Sequence, residues 1–209
     1  MNKIKAVIFD MDGVLIDAKE WHYDSFNKAL NYFGFNISRT DHIATYDGLP
    51  TKKKLEMLTQ YDDLPSYLHA FLNELKQKFT MQIINERCSP TFEHKFALSK
   101  LKRDGYKLAL ASNSVKNSIE SMMYKAQLDE YLDFKLSNQD VKHGKPDPEI
   151  YLLAIKKLGL SPSECLIVED NPHGIEAAFA SGAHVLEVPD TNYVNYKNIK
   201  TKIKEIEKL

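Results

Sequence analysis

Apolar residues along the chain alternate between two patterns. Residues 4–9, 106–111 and 165–168 are short runs dominated by apolar side chains, with Lys5 the one charge inside the first. Runs of this kind suit strands covered on both faces in a parallel sheet. A short strand is also expected at residues 134–136 and a last one at 183–188. Between the later strands the period is helical. Residues 92–103 form one helix and 115–126 a second, with Ser114 as its cap. Asp147 and Pro148 open a third at Glu149 that Gly159 closes, and Asn171 and Pro172 start a fourth that Gly182 stops. Strands alternating with helices predict a parallel sheet with right-handed crossovers.

Residues 16–85 break this alternation and read as helix and turn throughout. Trp21, Phe26, Ala29, Leu30 and Phe33 can share one helical face ahead of Gly34. Asp47-Gly48-Leu49-Pro50 is a turn, after which Thr51 is expected to cap a helix over 52–58. Leu64-Pro65-Ser66 begins another, with Leu68, Phe71, Leu72, Leu75 and Phe79 at helical spacing. The expected organisation is an α/β domain of residues 1–15 and 86–209, with residues 16–85 inserted as an all-helical module.

Composition narrows the function classes. The 209 residues are 43% hydrophobic, enough to bury a sizeable core. A net charge of −1 supplies no broad basic field, so neither nucleic acid nor an anionic membrane is an expected partner. No apolar run approaches a membrane span, and Asp10 and Asp12 fall where a secretory leader would need its apolar centre. Asn36-Ile37-Ser38 matches a glycosylation acceptor and is read as chance. Cys88 and Cys165 have no metal-ligand spacing and make no disulfide framework. A cytoplasmic monomer is expected.

Polar clusters follow three of the strands: Asp10 with Asp12, Ser112 with Asn113, and Glu169 with Asp170. A fourth, Lys142-His143-Gly144-Lys145-Pro146, precedes a helix. Ligand sites in open α/β sheets lie beyond the carboxyl ends of the strands, so all four clusters can meet in one place. Each has a plainer reading, since Ser112-Asn113-Ser114 is also a helix cap and Glu169-Asp170 also suits a helix dipole. Together they suit phosphoryl transfer through an aspartyl-phosphate. A carboxylate meeting a phosphate is repelled by roughly 4 kcal/mol per charge pair at 4 Å and moderate dielectric. Mg²⁺ would cancel part of that repulsion, held by Asp10 and Asp170, with Glu169 acting directly or through water. Lys145 would offset further phosphate charge and steady Asp10. Ser112 and the amides around Asn113 would take the phosphoryl oxygens, and Asp12 would serve as general acid and then base.

These residues resemble the haloacid dehalogenase superfamily, in its branch of phosphoglycolate phosphatase-like enzymes and beta-phosphoglucomutase. Asp10-Met11-Asp12-Gly13-Val14 is similar to its first motif and Ala111-Ser112-Asn113-Ser114 to its second. Lys145-Pro146-Asp147-Pro148 is similar to the third, and Val168-Glu169-Asp170-Asn171 with Gly174 to the fourth. The resemblance implies a Rossmann-like core with a helical cap, Asp10 as nucleophile and Asp12 as acid/base. It also implies magnesium on Asp10, on the Asp12 backbone carbonyl and on Asp170. An intact Asp12 points to phosphate esters, because the dehalogenases of the superfamily do not keep it.

By the same resemblance substrate choice lies in the cap. His22 matches a hinge histidine of the mutase, Gly48-Leu49-Pro50-Thr51 a specificity turn, and Lys76 roughly a cap lysine. The mutase carries an arginine where Thr51 stands, and the nearest cations here are Lys52 and Lys53; Ala18 also replaces a hinge threonine. Hydrolysis of small phosphorylated metabolites, sugar phosphates above all, is therefore expected. A hexose-phosphate mutase is the alternative and a non-catalytic binding protein the third reading.

Overall fold

The computed structural model describes residues 3–208, and its backbone separates into two compact units, Met1–Asp17 with Ser89–Leu209, and Ala18–Cys88. The expected boundaries, 15/16 and 85/86, fall slightly earlier, because the segment after Gly13 still packs with the first unit and the last long helix runs to Arg87.

The chain enters the first unit with β1 (Ala6–Phe9), then leaves it for the helical unit. That unit contains α1 (Lys19–Asn31), the short α2 (Arg39–Asp41), α3 (Thr51–Tyr61) and α4 (His69–Arg87). Phe26, Ala29 and Leu30 of α1, Leu55 and Leu58 of α3, and Leu72 and Phe79 of α4 close its apolar core. Two aromatics expected on those inner faces are not there. Phe33 lies in the turn beyond α1 and Phe71 on the outer side of α4, and their rings meet edge to face at 5.9 Å. Thr51 does not cap α3 either. Pro50, extended at φ −58° and ψ 145°, precedes a helix that Thr51 itself begins, and no side chain caps it.

The first unit resumes with α5 (Phe92–Arg103), β2 (Lys107–Ala111), α6 (Lys116–Lys125) and β3 (Phe134–Leu136). It ends with α7 (Glu149–Leu158), β4 (Cys165–Glu169), α8 (Pro172–Ala180), β5 (His184–Glu187) and α9 (Tyr196–Glu207). The five strands form one parallel sheet in the order β3-β2-β1-β4-β5, so β1 is central. All four residues of β1 are fully buried, which requires cover on both faces of the sheet. Ala6 and Ile8 pack with Ala109, Ile167 and the inner residues of α7 and α8. Helices α5 and α9 pack together and lie against β2 and β5. Pairing continues past the strand ends: the Asp10 amide donates to the Val168 carbonyl at 3.0 Å and the Ser112 amide to that of Leu136 at 3.1 Å. The sheet therefore sets the backbone position of the first residue beyond each strand. Among the described residues no helix is long and apolar enough to cross a membrane.

After α2 the helical unit makes one wide turn, His42–Tyr46, in which the His42 imidazole is buried 5.1 Å from the Tyr23 ring. Neither ring nitrogen has a hydrogen-bond partner. Burial, then the nearby Lys54 charge, lowers its pKa from 6.5 to about 4, so the folded imidazole is neutral at pH 7. Between those values the unfolded chain binds the extra proton. Stability should therefore fall as pH drops through that window, by up to about 1.4 kcal/mol per pH unit from this group. His42→Phe is expected to lose that share of the acid sensitivity. In urea melts its midpoint should gain on that of the parent protein as pH falls; a constant difference would mean that His42 takes its proton equally in both states.

Candidate active site

Three strand ends and the segment before α7 bring one cluster together. Asp10 follows β1 directly and is buried, as are Ser112 after β2, Lys145, and Glu169 at the end of β4. The Lys145 ammonium donates to Asp10 Oδ1 at 2.6 Å and to Glu169 Oε2 at 2.7 Å. Glu169 Oε2 also accepts the Tyr151 hydroxyl at 2.5 Å, and its Oε1 accepts the Asp170 and Asn171 amides, each at 3.1 Å. A Cβ on Gly174 would lie 2.1 Å from Glu169 Oε2, so the missing side chain there is what lets the carboxylate sit at the start of α8.

Asp12 is aimed by a tight turn. The Met11 carbonyl accepts the amides of Val14, Leu15 and Ile16, Gly13 takes a left-handed φ of +89°, and its amide donates to the Ile16 carbonyl at 2.7 Å. Asp12 Oδ2 accepts the Ser114 hydroxyl at 2.7 Å. That corrects the expectation for Ser114, whose hydroxyl serves Asp12 while α6 starts two residues on without a side-chain cap. Ser112 Oγ accepts the Ser114 amide at 3.1 Å. Asn113 holds the backbone of Lys145 from both sides, accepting its amide at 3.0 Å and donating to its carbonyl at 3.3 Å. Gly144 makes that approach possible, since a Cβ there would lie 2.8 Å from Asn113 Oδ1.

Electrostatics follow from the crowding. Burial, then the charge of Glu169, raises the Asp10 pKa well above the usual carboxylate range, although Lys145 pulls the other way. Burial also works against the Lys145 ammonium, but Asp10 and Glu169 outweigh it and raise its pKa. Glu169 is lowered: burial opposes its charge, and Lys145 with the Tyr151 and Asn171 hydrogen bonds more than compensates. Lys145 and Glu169 therefore form the settled ion pair, and Asp10 is the carboxyl whose charged form is least compensated. One oxygen each of Asp10, Glu169 and Asp170 lie within 4.8 Å of one another. An all-oxygen, anionic set fits a hard dication such as Mg²⁺. With Glu169 already accepting four hydrogen bonds, Asp10 and Asp170 are its better placed donors.

The other residues singled out from the sequence belong to the helical unit. His22 on α1 and Lys76 on α4 meet there, Lys76 Nζ lying 3.4 Å from His22 Nδ1 with Lys76 buried. Gly48 is left-handed at φ +73°, Thr51 is half-buried and Lys52 is exposed. The inward lysine of that turn is Lys54, which the charge pattern alone does not separate from Lys52 and Lys53. Tyr151 also escapes notice in the sequence. Its one signal is a hydroxyl on the otherwise apolar inner face Ile150, Tyr151, Ala154, Ile155 and Leu158.

A family model described as haloacid dehalogenase-like hydrolase matches residues 7–188. A phosphorylated carbohydrates phosphatase of Thermotoga maritima is 30% identical over 182 residues, covering 86% of this chain and 82% of that one. A pyrophosphatase, PpaX, of Bacillus mycoides is 27% identical over 195 residues, covering 89% and 84%. The crystal structure of beta-phosphoglucomutase from Clostridium difficile superposes with a TM-score of 0.85 at 25% identity, covering 99% of this chain and 100% of that one.

Gly174→Ala is expected to push Glu169 out of its hydrogen bonds and to lower the unfolding free energy by roughly 1–3 kcal/mol. Chemical denaturation measures the loss; a variant as stable as the parent would mean that Glu169 can be displaced without penalty.

Proposed function

The chain belongs to the haloacid dehalogenase-like hydrolases, and among them we propose that it is a magnesium-dependent phosphatase of small phosphorylated metabolites, sugar phosphates above all. In this reading it acts in the cytoplasm as a monomer. The observation that carries the reading is the pair of aspartates beyond β1, Asp10 fixed by Lys145 at 2.6 Å and Asp12 by Ser114 at 2.7 Å. One is ready to attack and the other to move a proton.

Asp10 attacks phosphorus through a carboxylate oxygen as the bond from phosphorus to the ester oxygen breaks, forming an aspartyl-phosphate. Asp12, entering as the carboxylic acid, gives its proton to the departing oxygen. As a carboxylate it then takes a proton from water, whose oxygen attacks phosphorus and frees Asp10 with release of inorganic phosphate. Ser112 and the amides around Asn113 receive the phosphoryl oxygens, and Lys145 offsets their charge. Asp10 and Asp170, with the Asp12 backbone carbonyl, would hold the magnesium, and Glu169 would stay outside it to brace Lys145. When bound, the ion supplies positive charge that lowers the cost of bringing the Asp10 carboxylate to a phosphate.

A hexose-phosphate mutase is the second reading, favoured by the His22–Lys76 contact in the helical unit and opposed by Thr51 in place of an arginine. Phosphorus NMR with Mg²⁺ and a panel of glycolate, pentose and hexose phosphates separates the two. Inorganic phosphate is the expected product. Glucose 6-phosphate formed from β-glucose 1-phosphate and a trace of its bisphosphate, without inorganic phosphate, would replace phosphatase by mutase. Asp10→Asn and removal of the metal with EDTA should each reduce turnover to background, with added Mg²⁺ restoring only the latter. Turnover that survives Asp10→Asn rules the mechanism out, and no turnover of any ester favours a binding protein.

A further inference from the structure

Tyr151 lies in the first turn of α7, fully buried among Ile8, Ala109, Ile155 and Ile167. Packing accounts for the ring, but a phenylalanine would pack as well. The hydroxyl has a specific partner, Glu169 Oε2 at 2.5 Å, and that oxygen is the one that accepts Lys145 Nζ at 2.7 Å. The same ammonium stands 4.6 Å from the centre of the Tyr151 ring. Lys145 is thus held on three sides, by Asp10, by Glu169 and by an aromatic face. We propose that Tyr151 is a positioning residue of the phosphoryl-transfer site, its hydroxyl holding Glu169 so that Lys145 is kept against Asp10.

Two carboxylates compete for one proton donor. Asp10 and Glu169 both draw on the single Lys145 charge, and both are buried where charge is poorly solvated. The Tyr151 hydroxyl satisfies part of the demand of Glu169 without adding a charge. Remove it, and Oε2 has Lys145 as its one remaining side-chain donor. The ammonium is then drawn toward Glu169 and away from Asp10, and a small displacement of an attacking group or its partner is costly in rate. Because nothing on Tyr151 reaches toward the substrate in this scheme, ground-state binding of the ester should barely change.

The proposal rests on the phosphatase reading, and Tyr151→Phe tests it, keeping the ring and removing the hydroxyl. With a turned-over ester, kcat is expected to fall about 10-fold or more while KM stays within about threefold. A kcat within twofold of the parent, or a raised KM with kcat intact, overturns the proposal even if the variant melts earlier. A second readout does not depend on turnover: the ¹⁵Nζ resonance of the Lys145 ammonium, identified by its loss in Lys145→Arg. Tyr151→Phe should shift it. If the parent protein hydrolyses no ester, the phosphatase reading fails and this resonance alone decides, an unmoved signal overturning the role given to Tyr151. Should Tyr151→Phe not fold, fluorotyrosine at position 151 alone, a stronger donor with the same ring, must move the resonance; no movement overturns the proposal equally.

Discussion

A buried ammonium shared between two buried carboxylates is the interaction on which the site depends. Lys145 sits within hydrogen-bond reach of Asp10 and Glu169, and all three are shut off from solvent. Breaking such a group by removing one member typically costs about 3–5 kcal/mol, because the charge left behind has neither water nor partner. The surroundings meet that constraint point by point. Asn113 grips the Lys145 backbone, Gly144 leaves room for the grip, Gly174 leaves room for Glu169, and Tyr151 with two amides completes the acceptance of Glu169. What remains least compensated is Asp10, the proposed nucleophile.

The division of labour proposed for the acids matches the same geometry. Glu169 is saturated by four donors, which suits a brace. Asp12 stands on a turn rather than in the sheet, with Ser114 on one oxygen, which suits a group that must change protonation. Asp10 is fixed by the backbone pairing of β1 with β4 and by Lys145, which suits a nucleophile that must not wander. Three carboxylates of similar intrinsic acidity are thus given different surroundings by burial and partners, as the proposed mechanism asks.

The sheet was legible because its signal is local. Unbroken apolar runs mark β1 and β4, and the acids just beyond them mark the strand ends where ligands gather. Helix existence was legible for the same reason, although Phe33 shows that spacing cannot say where a helix stops and Phe71 that it cannot say which side ends up covered. The roles of Ser114, Tyr151 and Gly144 were not legible, since each depends on a partner far along the chain. Ser114 reads locally as a cap and is engaged instead by Asp12. Tyr151 reads as core and is core, apart from one oxygen. Buried Lys54 is hidden among three successive lysines, where only the packing of α3 singles one out.

The position of β1 also bears on how the chain folds. It precedes the other four described strands in the chain and is central in the sheet, yet its neighbours begin at Lys107 and Cys165. Its pairing is therefore among the most non-local in the molecule, and such contacts form slowly. Until β2 emerges, a fully apolar strand waits unpaired, the kind of segment that sticks to its copies. Lys5 lies just before it and Asp10 and Asp12 just after. Charges flanking an apolar strand act as gatekeepers against aggregation. Asp10 and Asp12 would then protect the nascent chain before they have a site to serve.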